Sequence, residues 1–278
     1  LDVDTENNYY YSEVKGRELY FVNEGLKVPK YGQVELVEAE TSFTAYQEFQ
    51  SMLTRDRIDI FMVGEFDDYQ VLQALHRFPL EGRQVDLQFS YSQPYVNVVK
   101  EKIEPRQSSQ SILQLGYQFS CQYGDKDYFA LIVFNAMFGE FAHSALFTTL
   151  REKEGLAYSI SSQFDVFTGL LEVYAGIEKS NRNQAMRGIS RELNYIKLGR
   201  FSSSLLNQTK KIIRMNALLS EDHALTLVEQ RFNKVIFGDK SLSLENWLDE
   251  IEKVTKKDVC RVARQVKLQS LFFLEGVS

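Results

Sequence analysis

The spacing of apolar residues divides this chain into stretches of helical and strand period. Residues 8–23, rich in tyrosine and closing on Leu19-Tyr20-Phe21-Val22, read as a helix. Gly16 weakens that helix by about 1 kcal/mol relative to alanine. Gly25, Pro29 and Gly32 make residues 24–36 an irregular connector. Thr41 or Ser42 caps the next predicted helix, which runs to Leu53 with Phe43, Tyr46, Phe49 and Leu53 on one face. Ile58–Gly64 has the apolar density of a strand, and Asp67-Asp68 opens a helix through His76 with Pro79 beyond its end. Residues 80–94 read mostly as loop, although Val85, Leu87, Phe89 and Tyr91 alternate as a short edge strand would.

Strand period returns at Tyr95–Ile103 and at Gln110–Phe119. Asp125-Lys126-Asp127 then starts a helix carrying Tyr128, Leu131, Ile132, Phe134, Asn135 and Met137, which stops at Gly139. A second helix covers 142–153 and ends at Gly155, where glycine suits a left-handed stop. From Leu156 a strand follows, with Ala157, Ser159, Ser161 and Gln163 alternating unevenly against Tyr158, Ile160, Ser162 and Phe164. Thr168-Gly169 turns it into Leu170–Ile177, a hairpin partner.

The remainder is mainly helical. Ala185, Ile189 and Leu193 mark a helix over 181–198, and Ser202-Ser203-Ser204 caps another through Leu218. Glu221-Asp222 leads a helix to Phe237-Gly238, and Ser243 caps Leu244–Glu252. Thr255 and Asp258 form a capping-box pattern before the stripe Val259, Val262, Ala263 and Val266, and Leu271–Leu274 closes the chain as a buried strand. About six strands among many helices, without regular β-α-β alternation, predict an α+β fold. Helices would cover one face of a largely antiparallel sheet.

Composition narrows the function classes. A net charge of -6 and a pI near 5.3 argue against nucleic acid or an anionic membrane surface as the main partner. There is no long apolar run of membrane-spanning length, and the acidic start Leu1–Glu6 lacks the features of a signal peptide. A chain that does not begin with methionine is expected to be a processed product or a fragment. Cys121 and Cys260 lie outside any C-x-x-C pattern, so free thiols in a reducing cytoplasm are the default, with a single disulfide between them left open.

Candidate chemistry is sparse. His76, His143 and His223 are isolated, and neither H-E-x-x-H nor H-x-x-E-H occurs. His143 adjoins Ser144, yet adjacent helical residues do not face each other. No phosphate-binding glycine loop is present, and the acidic pairs Asp67-Asp68, Glu221-Asp222 and Asp249-Glu250 suit helix starts and solvated faces. The densest run is Leu150-Arg151-Glu152-Lys153-Glu154-Gly155-Leu156-Ala157-Tyr158-Ser159. Arg151 could simply complement a helix C-terminus, and Tyr158 could simply pack its ring. Alternatively, a guanidinium fork and a phenol hydroxyl across a glycine break could hold a peptide carbonyl.

That run, with Phe43–Gly64 as the entry helix and first strand, Met137-Phe138-Gly139, Ser144-Ala145-Leu146-Phe147, Tyr174-Ala175-Gly176 and the Ile251–Val259 segment, resembles the second domain of the pitrilysin/insulinase/mitochondrial processing peptidase family. The resemblance covers roughly residues 36–275. It implies an inverzincin metallopeptidase fold, a hydrolase family whose first domain carries zinc on H-x-x-E-H and a distal glutamate. It further implies that Arg151 and Tyr158 fall on substrate-binding positions, with no catalytic or metal residue in this chain. Residues 1–35 would be the tail of a preceding first domain plus connector, and 36–278 the C-terminal domain. Zinc would belong to the complete active site, not to this chain. Expected partners are a peptide or protein substrate and a catalytic subunit or second copy, in a bacterial cytoplasm. The alternative on the same fold is an inactive partner or scaffold subunit. Two departures stand out: the family's zinc motif is absent from this sequence, and the glycine-rich run expected after Gly139 reads Glu140-Phe141-Ala142.

Overall fold

The computed structural model of the chain describes residues 7–78, 83, 85 and 91–277. Two compact units emerge, one comprising Leu1–Tyr31, Ser90–Asn216 and Ser243–Ser278, the other Gly32–Phe89 and Ala217–Leu242.

The first unit is built on a five-stranded sheet of order β1-β5-β2-β4-β3. Its strands are β1 (Lys100–Gln107), β2 (Ser111–Gln118), β3 (Ala157–Asp165), β4 (Leu170–Ile177) and β5 (Lys267–Val277). β1 and β5 run parallel, and the other pairs are antiparallel. The mixed α+β expectation therefore holds, with the sheet largely antiparallel.

Helices cover the sheet on both faces. One face carries α1 (Asn8–Tyr20), capped by the Asn7 side chain, which accepts from Tyr9 N and Tyr10 N. Ile112, Phe272 and Leu274 meet Tyr11 and Leu19 on this side. On the other face lie Leu113, Leu115, Leu271 and Phe273, part of the main core with residues of α6 (Tyr128–Asn135), α7 (Arg182–Lys197) and α11 (Lys256–Gln265). Two-sided cover explains why β2 is buried almost throughout rather than alternating. The sequence pattern predicts helices on one face. α1 covers the other by burying Ser12, Gly16 and Tyr20, at a spacing of four, against the sheet, with Tyr11 and Leu19 half-buried beside them.

Between α1 and the sheet runs a polar seam. Arg17 donates from Nε to Glu172 Oε1 at 3.0 Å and from Nη2 to Oε2 at 2.8 Å. Gln163 Nε2 also donates to Glu172 at 3.1 Å, and Gln114 Nε2 at 3.4 Å. The buried carboxylate is thus met by a two-pronged charge-assisted pair and two amides. α11 is anchored similarly: Arg261 donates to Asp127 Oδ1 at 2.7 and 3.0 Å, and Gln265 to Oδ2 at 3.0 Å. The predicted capping box at Thr255 and Asp258 is present.

In the second unit, α2 (Glu24–Lys27) having closed the preceding stretch of the first, come α3 (Val34–Ala39), α4 (Ser42–Arg55), α5 (Asp68–Leu75) and α9 (Ala224–Phe237). α8 (Ser203–Ser220) spans residues of both units, and α10 (Leu244–Lys253) belongs to the first. Thr41 and Thr44 cap α4 reciprocally, and the rings of Phe61 and Phe232 meet edge-on at 6.2 Å. Ile58–Gly64 forms no ladder among the described residues. Apolar density favours a strand only where a neighbouring strand supplies hydrogen bonds, and none of the described residues does so here. The alternation at Val85, Leu87, Phe89 and Tyr91 lies largely outside the described residues.

Candidate functional site

Arg151 and Tyr158 lie on either side of the junction that carries the chain from helix to strand. α6 continues into a π-helical segment, Ala136–Glu140, and a second π-helical segment spans Phe147–Lys153. Such wide turns carry an extra residue per turn and rotate the side chains beyond them. Glu154 N bonds to Thr149 O at 2.9 Å and Leu156 N to Leu150 O at 2.8 Å, closing the helix with a wide turn. Gly155 makes this reversal with φ +61, the left-handed conformation that the sequence led us to expect there.

The segment is anchored from beneath. Leu150 is fully buried, and its side chain lies against the Gly188 backbone of α7, where an added Cβ would stand 3.2 Å from Leu150 Cγ. Arg191 of α7 reaches Glu154 at 2.6 Å. Gly139 is fixed in a comparable way, since a Cβ there would lie 2.8 Å from the Ser162 backbone nitrogen of β3. Glu140 accepts from Asn135 Nδ2 at 2.9 Å, and Ser162 donates to Asn135 Oδ1 at 2.7 Å. The run after Gly139 is therefore tied down by side-chain hydrogen bonds, not left as a loose glycine loop.

Arg151 emerges from this platform 44 % exposed at its side chain. Its guanidinium lies over the Phe147 ring at 4.6 Å, and its Nε stands 3.9 Å from Glu152 Oε1, the outer limit of an ion pair. Tyr158 is 58 % exposed, so its ring is not a core residue. It occupies a β-bulge: Ala157 pairs with Ile177 and Ser159 with Gly176, leaving Tyr158 as the extra residue. A bulge bends a strand and re-aims the inserted side chain. The inserted residue also accounts for the uneven alternation of the sequence. Beyond Tyr158 the inward positions become Ile160 and Ser162, shifted in phase from Ala157.

The Tyr158 hydroxyl donates to Glu178 Oε1 at 2.7 Å, and this bond holds the phenol above its ordinary pKa. Glu178 immediately follows β4. Its place is a consequence of hairpin register plus one bulged residue, which no local pattern around Glu178 reveals. Arg151 and Tyr158 are thus both exposed, each with its own partner.

The other candidates resolve into structure. His143 Nε2 lies 2.9 Å from Thr209 Oγ1, its ring stacks on Phe141 at 5.6 Å, and burial lowers its pKa. The Ser144 side chain instead accepts from Phe147 N at 3.4 Å. His76 closes α5 and His223 precedes α9. Among the described residues, no three His, Cys, Asp or Glu side chains are grouped to hold a metal ion. Cys121 and Cys260 are both buried and unbridged, and burial pushes the Cys121 thiol up to about 12. No helix of the described residues is long and apolar enough to cross a membrane.

The sheet, its two helical layers and the glycine-divided junction make up an α+β domain. Residues 46–213 match the peptidase M16 inactive domain, and the chain belongs to that family. In Bacillus subtilis strain 168, a protein named "Probable inactive metalloprotease YmfF" is 35% identical over 88% of this chain and 58% of its own length. The crystal structure of a conserved protein from Enterococcus faecalis V583 superposes with a TM-score of 0.94 at 36% identity, covering 100% of this chain and 66% of that one. A peptidase M16 inactive domain from Pseudomonas fluorescens shares the fold at a TM-score of 0.75 and 16% identity, covering 100% of this chain and 68% of that one. The chain thus spans between about half and two-thirds of the length of these relatives.

Proposed function

We propose that this chain is the substrate-holding, zinc-free domain of an M16-type peptidase assembly. Residues 36–278 would constitute that domain, and residues 1–35, the tail of a preceding one, would supply α1 to its sheet. Arg151 would orient an extended peptide through its guanidinium fork, and Tyr158 would hydrogen-bond the scissile carbonyl as charge develops on it. Metal and attacking water would lie in another domain or a catalytic partner subunit. The exposure of both side chains on a rigidly anchored junction carries this reading. Neither is placed to fill the core, which weakens the alternative that they serve packing alone.

A second reading has its own support. The relative YmfF is named a "Probable inactive metalloprotease", so the second reading makes the parent of this chain a silent partner or scaffold that holds peptides without cleaving them. Two unpaired, buried thiols favour the cytoplasm as its compartment. Fractionation of the tagged protein decides that point.

The discriminating assay mixes the chain with a catalytic M16 subunit from the same cell and follows cleavage of a labelled peptide. On the first reading, Arg151→Ala and Tyr158→Phe each reduce cleavage by about tenfold, the loss of one hydrogen bond to a charged or developing-charge group. Unchanged rates in both variants remove their roles. No stimulation by the wild-type chain leaves the silent scaffold.

A further inference from the structure

The phenol of Tyr158 has a single proton, and it is already engaged. While the hydroxyl donates to Glu178 Oε1 at 2.7 Å, it can accept a hydrogen bond but cannot donate one to a carbonyl. A carboxylate is a stronger acceptor than a peptide carbonyl. Any peptide that uses the Tyr158 proton must therefore first displace Glu178.

The backbone is shaped to make this contact. Tyr158 is the inserted residue of a bulge, and Gly176 is the residue across from Ser159. The bulge turns Tyr158 outward at the end of the hairpin where Glu178 follows Ile177. The adjacent Lys179 is paired elsewhere, with Glu275 at 3.1 Å, and does not neutralise Glu178. As a stabilising contact the pair contributes little, because both side chains are exposed.

We infer that Glu178 is a latch on the candidate peptide site, a positioning residue that holds the Tyr158 hydroxyl and withholds its proton until a peptide carbonyl competes it away. The inference rests on the reading of Tyr158 as a peptide contact. It goes further in assigning a residue that opposes binding: the affinity observed for a peptide is lowered by the fraction of chains in which the latch is closed. Glu178→Gln keeps the size of the side chain while replacing the charged acceptor with a neutral one.

Two measurements on the purified chain test this. The first is a double-mutant cycle, with binding of a fluorescein-labelled, N-acetylated, C-amidated alanine–glycine peptide followed by anisotropy. This probe offers amides and no ionised side chain. Glu178→Gln is expected to tighten binding about fivefold, the difference between a charge-assisted and a neutral hydrogen bond to the phenol, and to have no effect in the Tyr158→Phe background. The second is ultraviolet titration of tyrosinate, with the Tyr158→Phe spectrum subtracted to isolate Tyr158. Its titration is expected to move down in Glu178→Gln. An equal effect of Glu178→Gln in both backgrounds overturns the latch, as does a Tyr158 titration that does not move. Saturable binding by none of the variants, with the titration shift intact, overturns instead the peptide reading on which the competition depends.

Discussion

Gly155 and Tyr158 lie three positions apart and reshape the backbone in different ways. Gly155 takes φ +61, and nothing lies within 4 Å of a Cβ built there. Gly155→Ala should therefore destabilise the chain by about 1 kcal/mol through conformation alone, read as a lower urea midpoint with an unchanged m-value. Tyr158→Phe, on an exposed ring, should shift stability by less than about 0.5 kcal/mol. A larger loss in the same urea titration would mean that the phenol is structural. The residues of this junction were legible in the sequence because helix, glycine and strand are contiguous there. Glu178 was not. It reaches Tyr158 from 20 residues away, through a hairpin whose register includes an inserted residue. The same insertion blurred the alternation of β3.

At the scale of elements, two polar anchors set testable limits. Arg17 holds the Glu172 carboxylate, whose side chain is only 6 % exposed. Arg17→Ala would leave that buried charge to the weaker amides of Gln114 and Gln163. With Arg17 itself partly solvated, a loss of about 2 kcal/mol is expected in chemical denaturation, toward the low end for breaking a buried pair. Asp127 titrates below its ordinary range, chiefly through its hydrogen bonds from Arg261. A carboxylate whose folded pKa is depressed contributes stability that is complete above its unfolded value. That contribution fades as pH falls from about 4. Arg261→Gln should therefore lower stability at neutral pH and flatten its dependence on pH below about 4. Unfolding midpoints measured across that range check both. Asp258 contributes in the same direction, held low mainly by Thr255 of the capping box and further by Arg261.

The elements differ in how far local sequence specifies them, for physical reasons. Caps at Asp67, Ser243 and Thr255 act within one turn, so their signals are local and the helices begin where those residues indicate. Strand formation depends on a neighbour. Tyr95–Val99 has strand composition but lies outside the ladder, which starts at Lys100, and Ile58–Gly64 has no ladder among the described residues. The second cover of the sheet by α1 was also out of reach of local pattern, since it depends on tertiary packing of a tyrosine-rich helix against alternate residues of β2 and β5.

For the whole molecule, membership of the M16 inactive-domain family explains why a well-packed α+β unit carries no zinc-binding motif in its sequence. The purified chain alone is expected to bind no stoichiometric zinc and to leave peptides uncut. Elemental analysis and a chelator-controlled cleavage assay check this, and chelator-sensitive hydrolysis would contradict it. Peptide binding is the function the exposed junction would serve. It is tested most directly by titrating a fluorescein-labelled unstructured peptide with the wild-type chain and with the double variant Arg151→Ala, Tyr158→Phe, following anisotropy. Saturable binding by the wild type, weakened at least about tenfold in a double variant whose unfolding midpoint is unchanged, is the expected result. Equal affinity for the two proteins, or no binding by either, would contradict it.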